Sequence, residues 1–220
     1  VRRTHGPIAE LLAAFRSMAR GQFTQVTLSK RRDEYARIGT AFNQLSHTLR
    51  RQFRLLTSFE RMDKAILARP AVGELMQAML PRLPQMLACE QVALSLISAS
   101  GSTKLFVRNV EGSVKTFACK DEPNVRARLQ ECWPLLRWQE SPVRLADAVR
   151  GHVWCGREVG KDTSHGLGRQ IKGVARRFAV ALRNEEREQL LVRQAYYDEL
   201  TGLPNRRLLQ DRVQQALREA

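Results

Sequence analysis

Residues 34–49, E-Y-A-R-I-G-T-A-F-N-Q-L-S-H-T-L, hold the clearest periodic pattern in the chain. The apolar side chains of this stretch recur at alternating steps of three and four residues: Tyr35, Ile38, Phe42, Leu45 and Leu49. Such spacing is a heptad seam, which is typical of a helix that packs along another helix. Asp33 and Glu34 place negative charge at the predicted N-terminus, where it suits the helix dipole.

A shorter helix is predicted before this one. Pro7 suits a first helical turn, and Gly21 stands where a helix that ends needs a left-handed residue. Four apolar side chains between them step by three or four residues: Ile8, Leu11, Phe15 and Met18. In the connector, residues 22–32, the apolar residues are spaced too irregularly for a strand in a sheet. Because two helices of about 15 residues are too short to be stable alone, we expect a parallel homodimer that forms a four-helix bundle.

This order of Pro7, first helix, Gly21, connector, Asp33-Glu34 and second helix resembles a HAMP domain, and the resemblance covers residues 1–52. It implies a bundle that relays the movement of a transmembrane helix to a cytoplasmic output. Phe23 departs from the family, where a smaller aliphatic residue is common, and we expect it to pack without changing the fold. The resemblance assigns eleven positions to the HAMP core and its helix ends: Pro7, Ile8, Leu11, Phe15, Gly21, Asp33, Glu34, Ile38, Phe42, Leu45 and Leu49.

The charge balance fits this interpretation. The chain has 37 Lys and Arg against 22 Asp and Glu, a net charge of +15, and residues 1–69 hold 14 basic but only 5 acidic side chains. A basic start suits either nucleic-acid binding or a segment that leaves a membrane on its cytoplasmic face. No run of 18 to 20 apolar residues occurs. We expect the chain to be part of a longer one. We expect the cytoplasmic side of an inner membrane, with a membrane-anchored parent protein.

Two further stretches follow the bundle. The apolar pattern continues imperfectly through residues 53–69, which are predicted to be a connecting helix that runs up to Pro70. Residues 70–184 then form a small α/β pattern: a helix distorted by Pro81 and Pro84, a strand over 92–97, its hairpin partner over 105–110, and a third strand over 114–119. A helix over 125–132 and several short strands between 133 and 160 are predicted after these, before a closing helix.

This order of helix, hairpin, further strands and closing helix resembles a GAF domain, although a clear final pair of hydrophobic strands is missing. The resemblance implies that a small molecule of unknown identity can bind between the sheet and its loops. Trp138, Trp154 and His152 are candidates for lining such a pocket, but packing in the core or at the surface is the favoured interpretation. No cofactor and no metal site are predicted. The four cysteines form no C-x-x-C pair, and we expect them to be reduced thiols.

The closing helix carries a second periodic pattern. The steps of four and three between its apolar residues predict another heptad seam: Leu167, Ile171, Val174, Phe178 and Ala181. Glu185, Glu186 and Glu188 then interrupt this pattern, and residues 185–197 are predicted to be an output coiled-coil helix. Since a break in a coiled-coil repeat changes its local winding, this run is a hypothetical switch element.

The last stretch, residues 198–220, begins with D-E-L-T-G-L-P-N-R-R. Gly202 permits positive φ, Pro204 fixes φ before a helical pattern, and Asn205 is a plausible N-cap. The whole stretch resembles the opening segment of GGDEF domains, the diguanylate cyclase family, on these residues: Asp198, Leu200, Thr201, Gly202, Leu203, Pro204, Asn205 and Arg206. In that family the catalytic residues lie beyond this segment, so this chain is predicted not to be an enzyme, whereas its parent is a cyclase with or without a phosphodiesterase domain.

The sequence therefore predicts a mostly α protein with a small α/β, GAF-like domain, flanked by parallel coiled-coil or four-helix-bundle elements of a homodimer. The predicted function is a signal relay that couples a membrane or ligand signal to a cyclic di-GMP output. One alternative is a basic nucleic-acid-binding protein. Two features disfavour it: only 6% of the residues are aromatic, and the excess of basic residues lies beside heptad seams. We therefore expect no nucleic acid as a partner. A stand-alone small-molecule-binding domain is the other alternative.

Overall fold

The structure, a computed structural model, describes residues 5–27, 34–68, 71–98, 101–109, 112–160, 166–198 and 201–219. The chain divides into two compact units, Val1–Arg61 and Met62–Ala220, and each is described by itself. Asp33 and Leu200, to which the sequence assigned roles, lie outside the described residues, as does the side chain of Pro7.

The first unit contains two helices. Helix α1 spans His5–Ala19, and helix α2 begins at Glu34 and ends at Leu67 in the second unit. Gly21 has a φ of 79° and its N–H donates to the carbonyl of Met18 over 2.9 Å, which is the left-handed helix end that the sequence predicted. The predicted continuation of the second helix beyond Leu49 is confirmed, because α2 is unbroken for 34 residues.

A small apolar core joins these helices and the connector. Leu11 and Ala14 of α1 pack with Phe42 of α2, and Val26 of the connector closes the cluster. The rings of Phe15 and Phe42 meet edge to face, with centroids 4.8 Å apart. Phe23 is half-buried and its ring lies 5.8 Å from that of Phe53, so it packs within the unit as expected.

The second unit is built on one antiparallel sheet. Its five strands have the order β3-β2-β1-β5-β4, so that β3 and β4 form the edges. The strands are β1 Gln91–Ile97, β2 Thr103–Arg108, β3 Val114–Cys119, β4 Leu136–Leu145 and β5 Ala148–Glu158. The first three match the predicted hairpin and third strand.

The prediction of several short strands between residues 133 and 160 was wrong. Two long strands, β4 and β5, form a hairpin there, turning at Ala146, whose φ is 50°. The final pair of strands that seemed missing from the sequence is therefore present. The alternation of apolar residues in β4 was hidden because this strand lies at an edge, where polar residues such as Gln139 and Glu140 are exposed. Pro142, a residue that argues against a strand in a sequence, also lies within it.

Helices cover both faces of this sheet. Helix α5, Glu122–Cys132, packs Val125 and Leu129 against a cluster that includes Trp138 and Trp154. Because side chains alternate along a strand, Val153 and Cys155 point to the opposite face. The N-terminal helices of this unit are α3, Val72–Met79, and α4, Leu83–Leu87, with a 3₁₀ turn between them at the predicted proline distortion. Helix α4 contacts β1.

The long closing helix α6 spans Leu167–Tyr196 and packs on β4 and β5. The five residues of its predicted heptad seam are all buried: Leu167, Ile171, Val174, Phe178 and Ala181. The closing helix thus buries this row within the second unit, where α6 contacts β4, β5, α3 and α4. The later apolar residues of α6, Leu190, Leu191 and Val192, are at least half exposed.

A final helix, α7, spans Arg206–Glu219. The predicted fold class is thus confirmed: a helical N-terminal region is followed by a five-stranded antiparallel sheet flanked by helices.

Candidate functional site

The connector of the first unit is held to α2 by polar side chains. The amide of Asn43 pairs with the backbone of Val26 in both directions: the Val26 N–H donates to Oδ1 over 2.9 Å, and Nδ2 donates to the Val26 carbonyl over 3.0 Å. The buried hydroxyl of Ser46 donates to the carbonyl of Thr24 over 3.0 Å. The side chains of Asn43 and Ser46 thus form hydrogen bonds with the backbone of the connector, as the backbone of a neighbouring strand would. Neither residue was predicted from the sequence to have this role.

The predicted HAMP core residues divide into two groups. Leu11 and Phe42 are buried within the unit. In contrast, Ile8, Phe15, Ile38 and Leu45 keep 42–50% of their surface exposed. Leu49 is half-buried, and Glu34 is the first residue of α2. A single copy of this unit therefore buries only part of the apolar stripe that the heptad pattern defines.

The turn before α7 is organised by Asp198. Its Oδ1 atom accepts hydrogen bonds from the N–H and the hydroxyl of Thr201, both over 2.9 Å. Its backbone carbonyl accepts from the N–H of Gly202, whose φ is 68°. The N–H of Asp198 donates to the carbonyl of Leu203 over 2.8 Å, and Tyr197 pairs with Pro204 in an isolated bridge. The aspartate therefore closes a compact loop.

Asn205 joins this loop to the helices on either side. Its Oδ1 accepts from the N–H of Leu208 over 3.0 Å, so it caps α7 as predicted. Its Nδ2 donates to the carbonyl of Ala195 over 2.8 Å, and its N–H donates to that of Tyr196, also over 2.8 Å. One asparagine thus satisfies backbone groups at the end of α6 and at the start of α7. Arg206 is exposed and begins α7.

The two tryptophans considered as pocket residues belong to the core. Trp138 and Trp154 are 8% and 2% exposed and pack in one cluster below α5. The Nε1 of Trp154 donates to the Ser95 hydroxyl over 3.0 Å, which also accepts from the N–H of His152 over 3.1 Å. Burial lowers the pKa of His152. These contacts bear out the favoured interpretation of packing.

Two of the cysteines meet although they are distant in sequence. The hydrogen bond that the Cys89 thiol makes to the side chain of Cys155, together with burial, raises the pKa of Cys89. Burial also raises the pKa of Cys119. No group of three or more His, Cys, Asp or Glu side chains in the described part of the chain is arranged to hold a metal ion.

Two glutamates of the acidic run of α6 contact other elements of the unit, although the run is largely exposed. The carboxylate of Glu185 accepts from the N–H of Val72, the first residue of α3, over 3.3 Å. Glu186 forms an ion pair with Arg150 of β5. Both contacts lie where α6 passes from its buried half to its exposed half, so the hypothetical switch element is anchored to the sheet and to the first turn of α3.

Comparison with known proteins supports a domain assignment for the N-terminal residues. The family model of the HAMP domain matches residues 1–51. No curated protein sequence matches the chain. None of the helices in the described ranges is long and apolar enough to cross a membrane.

Several solved structures resemble the chain in shape. The phycoerythrobilin-bound GAF domain of a cyanobacterial phytochrome is 9% identical, with a TM-score of 0.45, and the match covers 61% of this chain and 96% of that one. Its phycocyanobilin-bound counterpart gives the same values. The GAF domain from an Acinetobacter phosphoenolpyruvate-protein phosphotransferase is 9% identical over 60% of this chain and 94% of that one, with a TM-score of 0.43. The family model of the HAMP domain thus matches the same residues whose order of helix, glycine, connector and helix the sequence analysis found similar to that family.

Proposed function

We propose that this chain is a dimeric signal-relay segment, in which a HAMP bundle passes movement through long helices to an output domain whose opening segment begins at Asp198. The observation that carries the proposal is the half-exposed apolar stripe of the first unit, formed by Ile8, Phe15, Ile38 and Leu45. Leaving such side chains in water forfeits about 1 kcal/mol or more each, relative to full burial. Two copies aligned in parallel bury both stripes at once, since heptad seams favour helix pairing.

The second half of α6 supports the same arrangement. Leu190, Leu191 and Val192 are at least half exposed on a helix whose buried residues all lie before Arg183. A partner helix would cover these side chains. Glu185 and Glu186, which hold α6 to Val72 and Arg150, are placed to favour one position of this helix. The relay hypothesis assigns them the role of a latch.

The nature of the output rests on residues 198–206. Their resemblance to the opening segment of GGDEF domains, and the loop that Asp198 and Asn205 close, support a diguanylate cyclase output. In that family the catalytic residues follow this segment, so the role proposed for this chain is regulatory and not catalytic. A HAMP domain is usually close to a membrane, so we further propose that the parent protein is anchored there, with this chain on the cytoplasmic side.

The dimer is tested by analytical ultracentrifugation of the wild-type chain and of two variants. We expect a wild-type dimer, and dissociation of the Ile38→Glu/Leu45→Glu variant, because each new charge would be buried in the interface. Gln44→Glu is the matched control, since Gln44 is exposed on the same helix and should leave the dimer intact. A wild-type chain that stays monomeric at high concentration would remove the relay from consideration.

The latch is tested in the full-length protein. Glu185→Gln and Glu186→Gln weaken the two contacts of α6, whereas Glu188→Gln changes the charge of the next exposed turn and serves as the control. Cyclic di-GMP production should change in the first two variants and stay at the wild-type level in the third. Equal output from all three would show that these contacts do not regulate the enzyme.

A further inference from the structure

An open cleft of about 500 Å³ lies between the edge strand β4 and helix α6. Four cationic side chains line it: Arg144 from β4, and Lys172, Arg176 and Arg183 from α6. Pro142 and Val180 add apolar surface. The cleft lies away from the tryptophan cluster, which packs under α5 on the other side of the sheet.

The cations of the cleft have no anionic partner in the described residues. Arg144, Lys172, Arg176 and Arg183 are all exposed and none forms a salt bridge with a described carboxylate. Elsewhere on α6, Arg177 is paired with Asp63 through two hydrogen bonds. Arg177 is therefore neutralised inside the unit, whereas the four cations of the cleft remain available to an anion.

The three cations of α6 form one row. At about 100° per residue, Lys172, Arg176 and Arg183 fall within about 40° of each other around the helix, and the row is about 16 Å long. Lys172 and Arg176 are four residues apart, a spacing at which like charges destabilise a helix. An anion in the cleft would remove this repulsion, and guanidinium groups can bind a phosphate or carboxylate through paired hydrogen bonds.

We propose that this cleft binds a soluble organic anion that carries at least two negative charges and an apolar portion. The volume lies within the range of about 300–1,000 Å³ that is common for small-molecule sites. The charge of the ligand would face Arg144, Lys172, Arg176 and Arg183, while its apolar portion would cover Pro142 and Val180. This inference does not rest on the proposed relay, because all residues of the cleft belong to one chain. A monomeric protein could bind the anion even though the relay needs a dimer.

The test uses magnesium-free ATP, which combines phosphates with an aromatic base whose faces can cover apolar surface, and inorganic pyrophosphate, which lacks the base. Isothermal titration calorimetry of the whole chain should show binding of both, with ATP the tighter because of the apolar surface. Lys172→Gln/Arg176→Gln should weaken ATP binding by about tenfold or more. The matched control, Arg169→Gln/Arg187→Gln, removes the same charge from exposed positions of α6 outside the cleft and should keep the wild-type affinity.

Three results would overturn the proposal. The first is the absence of ATP binding to the wild-type chain, and the second is an equal loss in both double variants, which would mean binding to net charge alone. The third is a wild-type chain that binds phosphatidylglycerol vesicles but not ATP, with vesicle binding lost in Lys172→Gln/Arg176→Gln and kept in the control variant. In that case the phosphate that the cleft recognises belongs to a lipid headgroup rather than to a soluble molecule.

Discussion

Arg177 of α6 holds Asp63, near the end of α2, through two parallel hydrogen bonds of 2.7 and 3.0 Å from Nε and Nη2. The Nη1 of the same guanidinium donates to the carbonyl of Gly173 over 3.3 Å, which fixes the arginine against its own helix. Both side chains keep some exposure, 27% for Arg177 and 48% for Asp63. The pair therefore ties α2 and α6 together within the second unit, with geometry that only an arginine provides.

We predict an interaction energy of about 1 kcal/mol between these two side chains, because the paired geometry is favourable and the exposure reduces its effect. A double-mutant cycle with Asp63→Asn, Arg177→Gln and the double variant, measured by urea unfolding, gives this value directly. Arg177→Lys should recover little of it, since an ammonium cannot form both bonds. An interaction energy near zero would mean that the pair does not fix the two helices.

Gly151 of β5 is predicted to be intolerant of any side chain. Its φ is 153°, and a Cβ atom there would lie 1.9 Å from the backbone oxygen of Ser95 in β1. Since neither central strand can move aside, Gly151→Ala should destabilise the protein by about 3 kcal/mol or more. The control is Gly73→Ala in α3, where an added Cβ meets nothing within 4 Å. That change should leave stability equal or raise it by up to about 1 kcal/mol.

Thermal unfolding of the two glycine variants checks this prediction. A Gly151→Ala protein with the melting temperature of the wild type would mean that β1 and β5 are farther apart than described.

Asn43 is predicted to hold the connector of the first unit. Asn43→Ala leaves the N–H and the carbonyl of Val26 without their side-chain partners, and Val26 is only 8% exposed. The expected loss is about 2 kcal/mol of local stability. Hydrogen exchange of the Val26 amide should accelerate accordingly, whereas Gln44→Ala, on the exposed side of α2, should leave it unchanged. Unchanged protection in Asn43→Ala would show that the apolar contacts of Val26 suffice.

His152 is predicted to make stability depend on pH. Because burial lowers its pKa in the folded state, the unfolded chain binds the proton more readily, so stability rises with pH in this window. The loss of folding stability that comes from protonating His152 is absent well above pH 6.5 and grows as the pH falls below about 6.5. It levels off below the pKa of His152 in the folded state. Urea unfolding between pH 5 and 8 should show a steeper slope for the wild type than for His152→Gln. If the stability of the wild type and of His152→Gln changed equally with pH, the pH dependence would come from groups other than His152.

The helices were predictable because their apolar residues follow steps of three and four over long distances. The same spacing did not reveal what each helix packs on. The row from Leu167 to Ala181 contacts a sheet, whereas Ile38 and Leu45 remain half exposed, although both rows have the same pattern. Periodicity defines the apolar face of a helix, but the partner depends on contacts between residues that are far apart in the chain.

The polar contacts of the candidate sites could be predicted only where they are local. Asn205 caps the helix three residues ahead of it, which a sequence pattern can indicate. The bond between Val72 and Glu185 joins residues 113 positions apart, and that between Val26 and Asn43 joins residues 17 apart. Such contacts exist only after the units have folded. Strand β4 was misjudged for a related reason, since its exposure follows from its place at the edge of the sheet.

That edge position has a consequence for how molecules of this protein meet one another. An unprotected outer strand offers backbone donors and acceptors to any neighbouring chain, which is a route to aggregation. Pro142, in the middle of β4, has no N–H to offer. The register also shifts between Val143 and Arg144, which disturbs the regular spacing that an incoming strand would need. A single imino acid and a bulge thus make this margin of the sheet a poor template for an incoming strand.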